Sequence, residues 1–325
     1  MILDAVIPDA EVSVARSPLS RSPLSWRAPR RIAVVAVLAL AIPLTAATPA
    51  MAQPSGGPQS YVALGDSYTS GPFIPVQTGR PRGCLRSNRN YPSLVAQTFE
   101  VSDFRDVSCS GATTTDLSDP QRVRFGVNPA QFDALDEEVE LVSLGIGGND
   151  IGFGQILNEC VQRSPREPTG AACQDFFTSG DTDELAERID ATAPKIAAAL
   201  AEIERRSPDA QVLLVGYPAI LPDEGPGCFP LVPFSPGDVE YLRDTEKRLN
   251  AMLADEADDA GAEYVDTYDS TIGHDICQLP GRKWIEGLVP TSPAAPFHPN
   301  ALGMTAIAGA VGEVLVDEVG LTPAA

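Results

Sequence analysis

A serine on a tight turn, a histidine on a loop and two glycine-rich strand ends are the residues of this chain best placed to do chemistry. Ser67 stands in Gly65-Asp66-Ser67-Tyr68, directly after the apolar run Tyr61-Val62-Ala63-Leu64. The glycine lets the backbone turn sharply, Asp66 can accept hydrogen bonds from turn amides, and the hydroxyl is held at a sheet edge where a substrate carbonyl can reach it. A hydroxyl needs a base to become a nucleophile, and the only histidines are His274 and His298. His298 lies in Pro296-Phe297-His298-Pro299-Asn300, just before the pattern Ala301-Leu302, Met304, Ile307-Ala308, Val311, Val314-Leu315. That spacing predicts an amphipathic helix with Pro299 near its first turn, so the imidazole sits on a loop entering a helix, a position suited to general-base work. His274, between Gly273 and Asp275 and near Cys277, lacks such a context and reads as structural or exposed.

Negative charge that builds up on a reacting carbonyl oxygen needs donors, and two strand ends could supply them. Val139-Glu140-Leu141-Val142-Ser143-Leu144 is a buried-strand pattern that runs into Gly145-Ile146-Gly147-Gly148-Asn149-Asp150, where Asn149 can offer a side-chain N–H. Asp106-Val107-Ser108-Cys109 leads into Ser110-Gly111-Ala112, and no side chain shields the Gly111 amide from a bound oxyanion.

In chain order, Gly65-Asp66-Ser67, Gly111, Gly147-x-Asn149-Asp150 and His298-Pro299-Asn300 closely resemble the four blocks of the SGNH or GDSL family of serine hydrolases. The resemblance extends from about Ser60 to the C-terminus, and the sequence between the blocks is similar to that of secreted, Streptomyces-type lipases and esterases of actinobacteria. It implies Ser67 as nucleophile and His298 as base, with an oxyanion hole made of the Ser67 and Gly111 amides and the Asn149 side chain. Asp66 and Asp150 are expected to orient these groups, and no cofactor or metal is expected. The Gly-x-Ser-x-Gly elbow of α/β-hydrolases is absent, since position 69 is threonine. One departure matters: many members carry an aspartate three residues before the histidine, and here that position is Ala295. The expectation is therefore a Ser-His dyad in which the backbone carbonyl of Ala295 or Pro296 accepts the Nδ1 proton. The rival is a remote acid, Asp275 or Glu286, folded against the ring.

The amino end carries an address. Arg27, Arg30 and Arg31 precede the apolar run Ile32 to Ile42, followed by small residues up to the A-x-A pattern Ala50-Met51-Ala52. This reads as a secretory leader over residues 1–52 whose apolar run is short for a membrane span, leaving residues 53–325 as one domain with no stable membrane anchor. Sec and twin-arginine export both remain open. Export agrees with six cysteines, all beyond the leader, in an oxidising compartment where they would pair. A metal site is a poor alternative, since no C-x-x-C pair exists and histidines are scarce. The sequence leaves all pairings open, but the resemblance implies pairing in order, Cys84 with Cys109, Cys160 with Cys173 and Cys228 with Cys277. Such bridges would restrain the long loops expected around residues 72–90, 154–180 and 217–235.

The elements that must position these groups alternate in type. Strand-like runs at Tyr61 to Leu64, Phe104 to Ser108, Leu141 to Leu144, Val212 to Val215 and Glu263 to Val265 are separated by helical stretches. One such stretch runs from Asp183 to Arg206 with a kink expected at Pro194, and another follows Ser235-Pro236 and closes at Gly261. Together they imply a three-layer α/β/α fold, flavodoxin-like, around a five-stranded parallel sheet, with Ser67, Gly111 and Asn149 after strand carboxyl ends. Without the leader the chain keeps 18 basic against 41 acidic residues, a net charge of −23. That charge repels nucleic acid and anionic membranes and favours a soluble monomer. The functional expectation is a secreted serine esterase or lipase acting on small-molecule or lipid esters. Phospholipase A and sugar-ester deacetylase are alternatives on the same fold, and a non-catalytic surface-binding protein is an alternative of another class.

Overall fold

All five strand-like runs become strands of one sheet in the computed structural model, which describes residues 57–324. The leader expected over residues 1–52 lies outside the described residues. The strands are β1 (Ser60–Gly65), β2 (Asp103–Asp106), β3 (Leu141–Gly145), β4 (Gln211–Val215) and β5 (Glu263–Val265), in spatial order β2-β1-β3-β4-β5. Every pairing is parallel. Parallel strands need crossovers that cover both faces, which explains why β1 is buried at all six positions instead of alternating. Successive side chains feed opposite cores: Val62 and Leu64 join one cluster, Tyr61 and Ala63 the other.

Two helices pack on the Tyr61 face: α2 (Tyr91–Thr98) and, closing the chain, α6 (Ala301–Asp317). The Val62 face takes α3 (Phe153–Arg163), α4 (Glu184–Arg206) and α5 (Pro236–Ala260). Asp183 caps α4 by accepting from the amides of Leu185 and Ala186, and α4 runs on through Pro194 as one helix. Pro236 opens α5, but Ser235 gives no side-chain cap; its hydroxyl donates to Asp238 instead, and Gly261 ends the helix in the left-handed conformation at φ 69°. At α6 the cap is Asn300, which accepts from Leu302 and Gly303, so Pro299 stands one residue outside the helix.

The strand expected over Phe104 to Ser108 ends its ladder at Asp106, yet the chain continues alongside β1, with Val107 N–H donating to Ala63 O and Cys109 N–H to Gly65 O. That extension carries the chain past the end of β1 and brings Gly111 towards Ser67. Disulfides join Cys84 to Cys109, Cys160 to Cys173 and Cys228 to Cys277. Two short antiparallel hairpins, which the sequence pattern did not announce, lie outside the main sheet: Gln77–Thr78 with Arg86–Ser87, and Gln121–Val123 with Gly126–Asn128. Among the described residues no helix is long and apolar enough to cross a membrane.

Candidate active site

Gly65 ends β1 at φ 146°, and a Cβ on it would lie 2.5 Å from the Gly145 carbonyl oxygen of the neighbouring strand, so no other residue can make this turn unstrained. The chain then enters a single helical turn, α1 (Ser67–Ser70), capped by Asp66, whose Oδ1 accepts from Tyr68 N–H at 2.8 Å. Ser67 is the first residue of that turn. Its backbone N–H points out of the helix start, as does that of any first residue, with no acceptor inside the helix.

His298 arrives from the far end of the chain. Its Nε2 is 2.7 Å from Ser67 Oγ, and its Nδ1 is 2.7 Å from the Pro296 carbonyl oxygen. Since a carbonyl only accepts, the proton sits on Nδ1, and Nε2 is left to accept from the serine hydroxyl. Phe297 makes this geometry with a left-handed backbone, φ 61°, a conformation that costs a non-glycine residue on the order of 1 kcal/mol. Three contacts hold it there. Tyr68 Oη donates to Phe297 O at 2.6 Å, Phe297 N–H donates to Glu286 O at 3.0 Å, and the Phe297 ring stacks on Phe234. The His298 ring lies 4.8 Å from that of Tyr68, centroid to centroid, with the edge of Phe153 behind it. Burial in this aromatic setting pulls the imidazole pKa down to about 4, against a smaller upward pull from the Pro296 carbonyl.

Of the two carbonyls expected behind the ring, the structure uses that of Pro296; Ala295 O instead accepts from His298 N–H. Neither remote acid reaches the ring. Glu286 accepts from Asn300 Nδ2, from Thr291 and from Lys283, and Asp275 accepts from Cys277 N–H and Gln278. His274 is half-buried, stacked on Trp284 at 3.4 Å between centroids, with Nδ1 against the Arg282 carbonyl.

Of the other expected donors, Asn149 lines the same cleft as Ser67, and Gly111 stands on the turn beside it. Gly111 turns at φ 80°, and Asn149 Nδ2 donates one of its two protons to Ala112 O at 2.9 Å, which locks the Gly111 and Asn149 turns together and leaves the second proton available. Asp150 fastens the same region from below, accepting from Thr114 N–H at 2.9 Å and from its hydroxyl, with Lys195 at 3.5 Å.

Tyr217 was not anticipated. Its hydroxyl donates to Asp66 Oδ2 at 2.7 Å and accepts from Gly148 N–H at 2.7 Å, so a single phenol ties the serine turn to the Gly147-Gly148-Asn149 turn. The signal was present, since Tyr217 follows the carboxyl end of β4 as the other site residues follow theirs. Burial pushes the Asp66 carboxyl up to about 7, opposed by its hydrogen bonds from Tyr217 and Tyr68, and burial also pushes the Tyr217 phenol up.

A narrow cleft, open at one side, begins at Ser67 and Asn149 and runs between α3 and α5. Ile156, Leu157, Ile220, Phe234 and Leu249 make its walls mostly apolar. Among its polar lining residues is Glu246, a carboxyl that burial pushes well above its usual range and whose oxygens accept from the Ile220 N–H. The arrangement can do one kind of chemistry well: an uncharged imidazole draws a proton from a hydroxyl beside amide donors, at the mouth of a pocket that takes hydrocarbon.

Known proteins share this arrangement of chain. The chain is 39% identical to Lipase 2 of Streptomyces coelicolor over 290 residues, which covers 87% of this chain and 95% of that protein. The crystal structure of phospholipase A1 from Streptomyces albidoflavus superposes with a TM-score of 0.67 at 27% identity, covering 79% of this chain and 99% of that one. The extracellular lipase of Streptomyces rimosus gives a TM-score of 0.63 at 26% identity over 78% of this chain and 99% of that one. Residues 63–306, from inside β1 to the middle of α6, match the GDSL-like lipase/acylhydrolase family, and the chain belongs to it.

Proposed function

We propose that this protein is a secreted serine ester hydrolase, a lipase or carboxylesterase, that works through an acyl-enzyme on Ser67. The observation that carries the reading is the line from Ser67 Oγ to His298 Nε2 at 2.7 Å and from Nδ1 to Pro296 O at 2.7 Å, a dyad with no carboxylate on the ring. His298 takes the hydroxyl proton as Ser67 Oγ bonds to the ester carbonyl carbon. The carbonyl oxygen becomes an anion and rests on the Ser67 and Gly111 amides and the Asn149 side chain, where one lost donor costs about 10² to 10³ in kcat. The C–O bond to the alcohol then breaks, with the proton on Nε2 passing to the leaving oxygen. Water, deprotonated by the same imidazole, repeats the attack and frees the acid. The mostly apolar pocket behind Ser67 supports acyl chains of some length over acetyl groups. A leader over residues 1–52 and cysteines paired in three disulfides support export.

A fluorophosphonate probe should label Ser67, and labelling and hydrolysis should both be lost in Ser67→Ala. In parallel, rates on p-nitrophenyl esters from acetate to palmitate should peak beyond acetate. Absence of labelling together with no hydrolysis of any ester would sink the reading. The likeness to a phospholipase A1 favours one second reading, phospholipid acyl esters, and a phosphatidylcholine substrate belongs in the same series. Export is checked at the amino terminus, since protein from a culture supernatant should begin at Gln53.

A further inference from the structure

Acidity is unevenly spread along this chain. No acidic residue occurs between Asp66 and Glu100 or between Asp119 and Asp133, yet these two segments hold six of the 18 basic residues beyond the leader. The fold brings the two together. The hairpin over residues 77–87 packs on the hairpin over residues 121–128 so closely that a Cβ on Gly83 would lie 2.2 Å from Arg124 O, and one on Gly126 would lie 2.8 Å from the Pro81 ring. Arg86 is buried in the seam, donating to Asn128 Oδ1 at 2.6 Å and to Arg80 O at 3.0 Å. Arg80, Arg82, Arg122 and Arg124 are exposed, and among the described residues none of the four forms an ion pair.

Apolar side chains stand among these arginines. Phe125, at the tip of the second hairpin, is 76% exposed and Val127 is 50% exposed, with the Arg124 guanidinium 4.6 Å over the Phe125 ring. An aromatic held in water gains little beyond its contact with Arg124, but the ring and the unpaired cations both gain more at a boundary between phosphate and hydrocarbon. We propose that this pair of hairpins docks the enzyme on an anionic lipid bilayer, with the four arginines on lipid phosphates and Phe125 and Val127 between the headgroups. The charge of the whole chain opposes such contact, but screening over about 8 Å at physiological salt lets the nearest charges decide. The same lobe is fastened to the Gly111 turn by Ser110 N–H on Cys84 O at 3.0 Å and by Gln121 Nε2 on Ser110 O at 3.1 Å. Docking there keeps the proposed ester-cleaving site close to the layer in which lipid esters reside, and to that extent its use rests on the reading above.

The test separates binding from turnover. The chain without its leader is sedimented with vesicles of ether-linked lipids, which carry no acyl ester, made of phosphatidylglycerol or of phosphatidylcholine. Binding to phosphatidylglycerol only, weakening with added salt, is expected. Replacing all four arginines with glutamine should weaken it on the order of 100-fold or more, and Phe125→Ser with Val127→Ser roughly tenfold. Both variants should hydrolyse soluble p-nitrophenyl butyrate as the parent does, which also shows that they fold. Equal binding to the two lipids, binding indifferent to the four arginines, or retention by DNA without retention by vesicles would each overturn the proposal.

Discussion

In the proposed dyad His298 has a carbonyl and no carboxylate behind it, and its titration tests the setting of the ring. In water an imidazole titrates near 6.5, but burial against Tyr68 and Phe153 holds this one down to about 4. The base must be neutral, so the acid limb of kcat/KM should fall near pH 4, with activity at pH 5.5 close to its plateau, where an unshifted histidine would leave about a tenth. A limb near 6.5 in a pH profile would show that the ring is not desolvated. Stability follows the same sign. Between 6.5 and about 4 the unfolded chain binds a proton that the folded chain does not, so acidification over that window costs stability. Tyr217 offers a second test at this scale. Tyr217→Phe removes the bridge between Asp66 and Gly148 while keeping the ring, and should lower kcat about tenfold or more with little change in KM. An unchanged kcat would show that the two turns hold their places without it.

At the scale of elements, the strands are local and the histidine loop is not. A run such as Leu141 to Leu144 is legible because a strand buried on both faces is mostly apolar, and its one hydroxyl, Ser143, is hydrogen-bonded to Tyr61 Oη. The loop that carries His298 depends on Glu286, 12 residues earlier. Glu286 N–H donates to His298 O at 2.9 Å, and its carboxylate accepts from Asn300, the cap of α6. Burial pushes the Glu286 carboxyl up, but hydrogen bonds from Asn300 and Thr291 and the Lys283 ammonium together hold it below its usual range. Glu286→Leu would strand Lys283, itself only 6% exposed, and should cost about 3–5 kcal/mol in a denaturation experiment. Because its side chain does not touch the ring, activity per folded molecule should fall far less than in His298→Ala. A loss as deep as that of His298→Ala would restore the acid to the catalytic machinery.

For the molecule as a whole, covalent bridges and charge distribution matter more than composition. The Cys84–Cys109 bridge spans 25 residues, which in the chain-entropy model stabilises the fold by about 3 to 4 kcal/mol, and it joins the arginine-bearing lobe to the Gly111 turn. Reduction should lower Tm by several degrees or more, and activity should be lost along with the fold, as a calorimetric scan with and without dithiothreitol would show. Full stability after reduction would mean that the core alone suffices. Net charge is a total that hides local differences. A value of −23 reads as repulsion from every anionic surface, but a sum over 273 residues hides the two acid-free hairpins, whose contact only the fold creates.

Spacing and residue type were enough for the sheet, for α4, α5 and α6, and for the serine and histidine that meet at its edge, whereas α3 (Phe153–Arg163) and a further helix over Ala172–Phe177 occupy much of the loop expected over residues 154–180. Spacing and residue type are signals that act over a few neighbours. The choice of Pro296 as the carbonyl behind His298, the distance of Asp275 and Glu286 from that ring, the Tyr217 bridge and the arginine-ringed tip of the hairpins were decided by tertiary structure alone. Each depends on groups distant in sequence meeting at hydrogen-bond or packing distance, and no local pattern records where a chain will return.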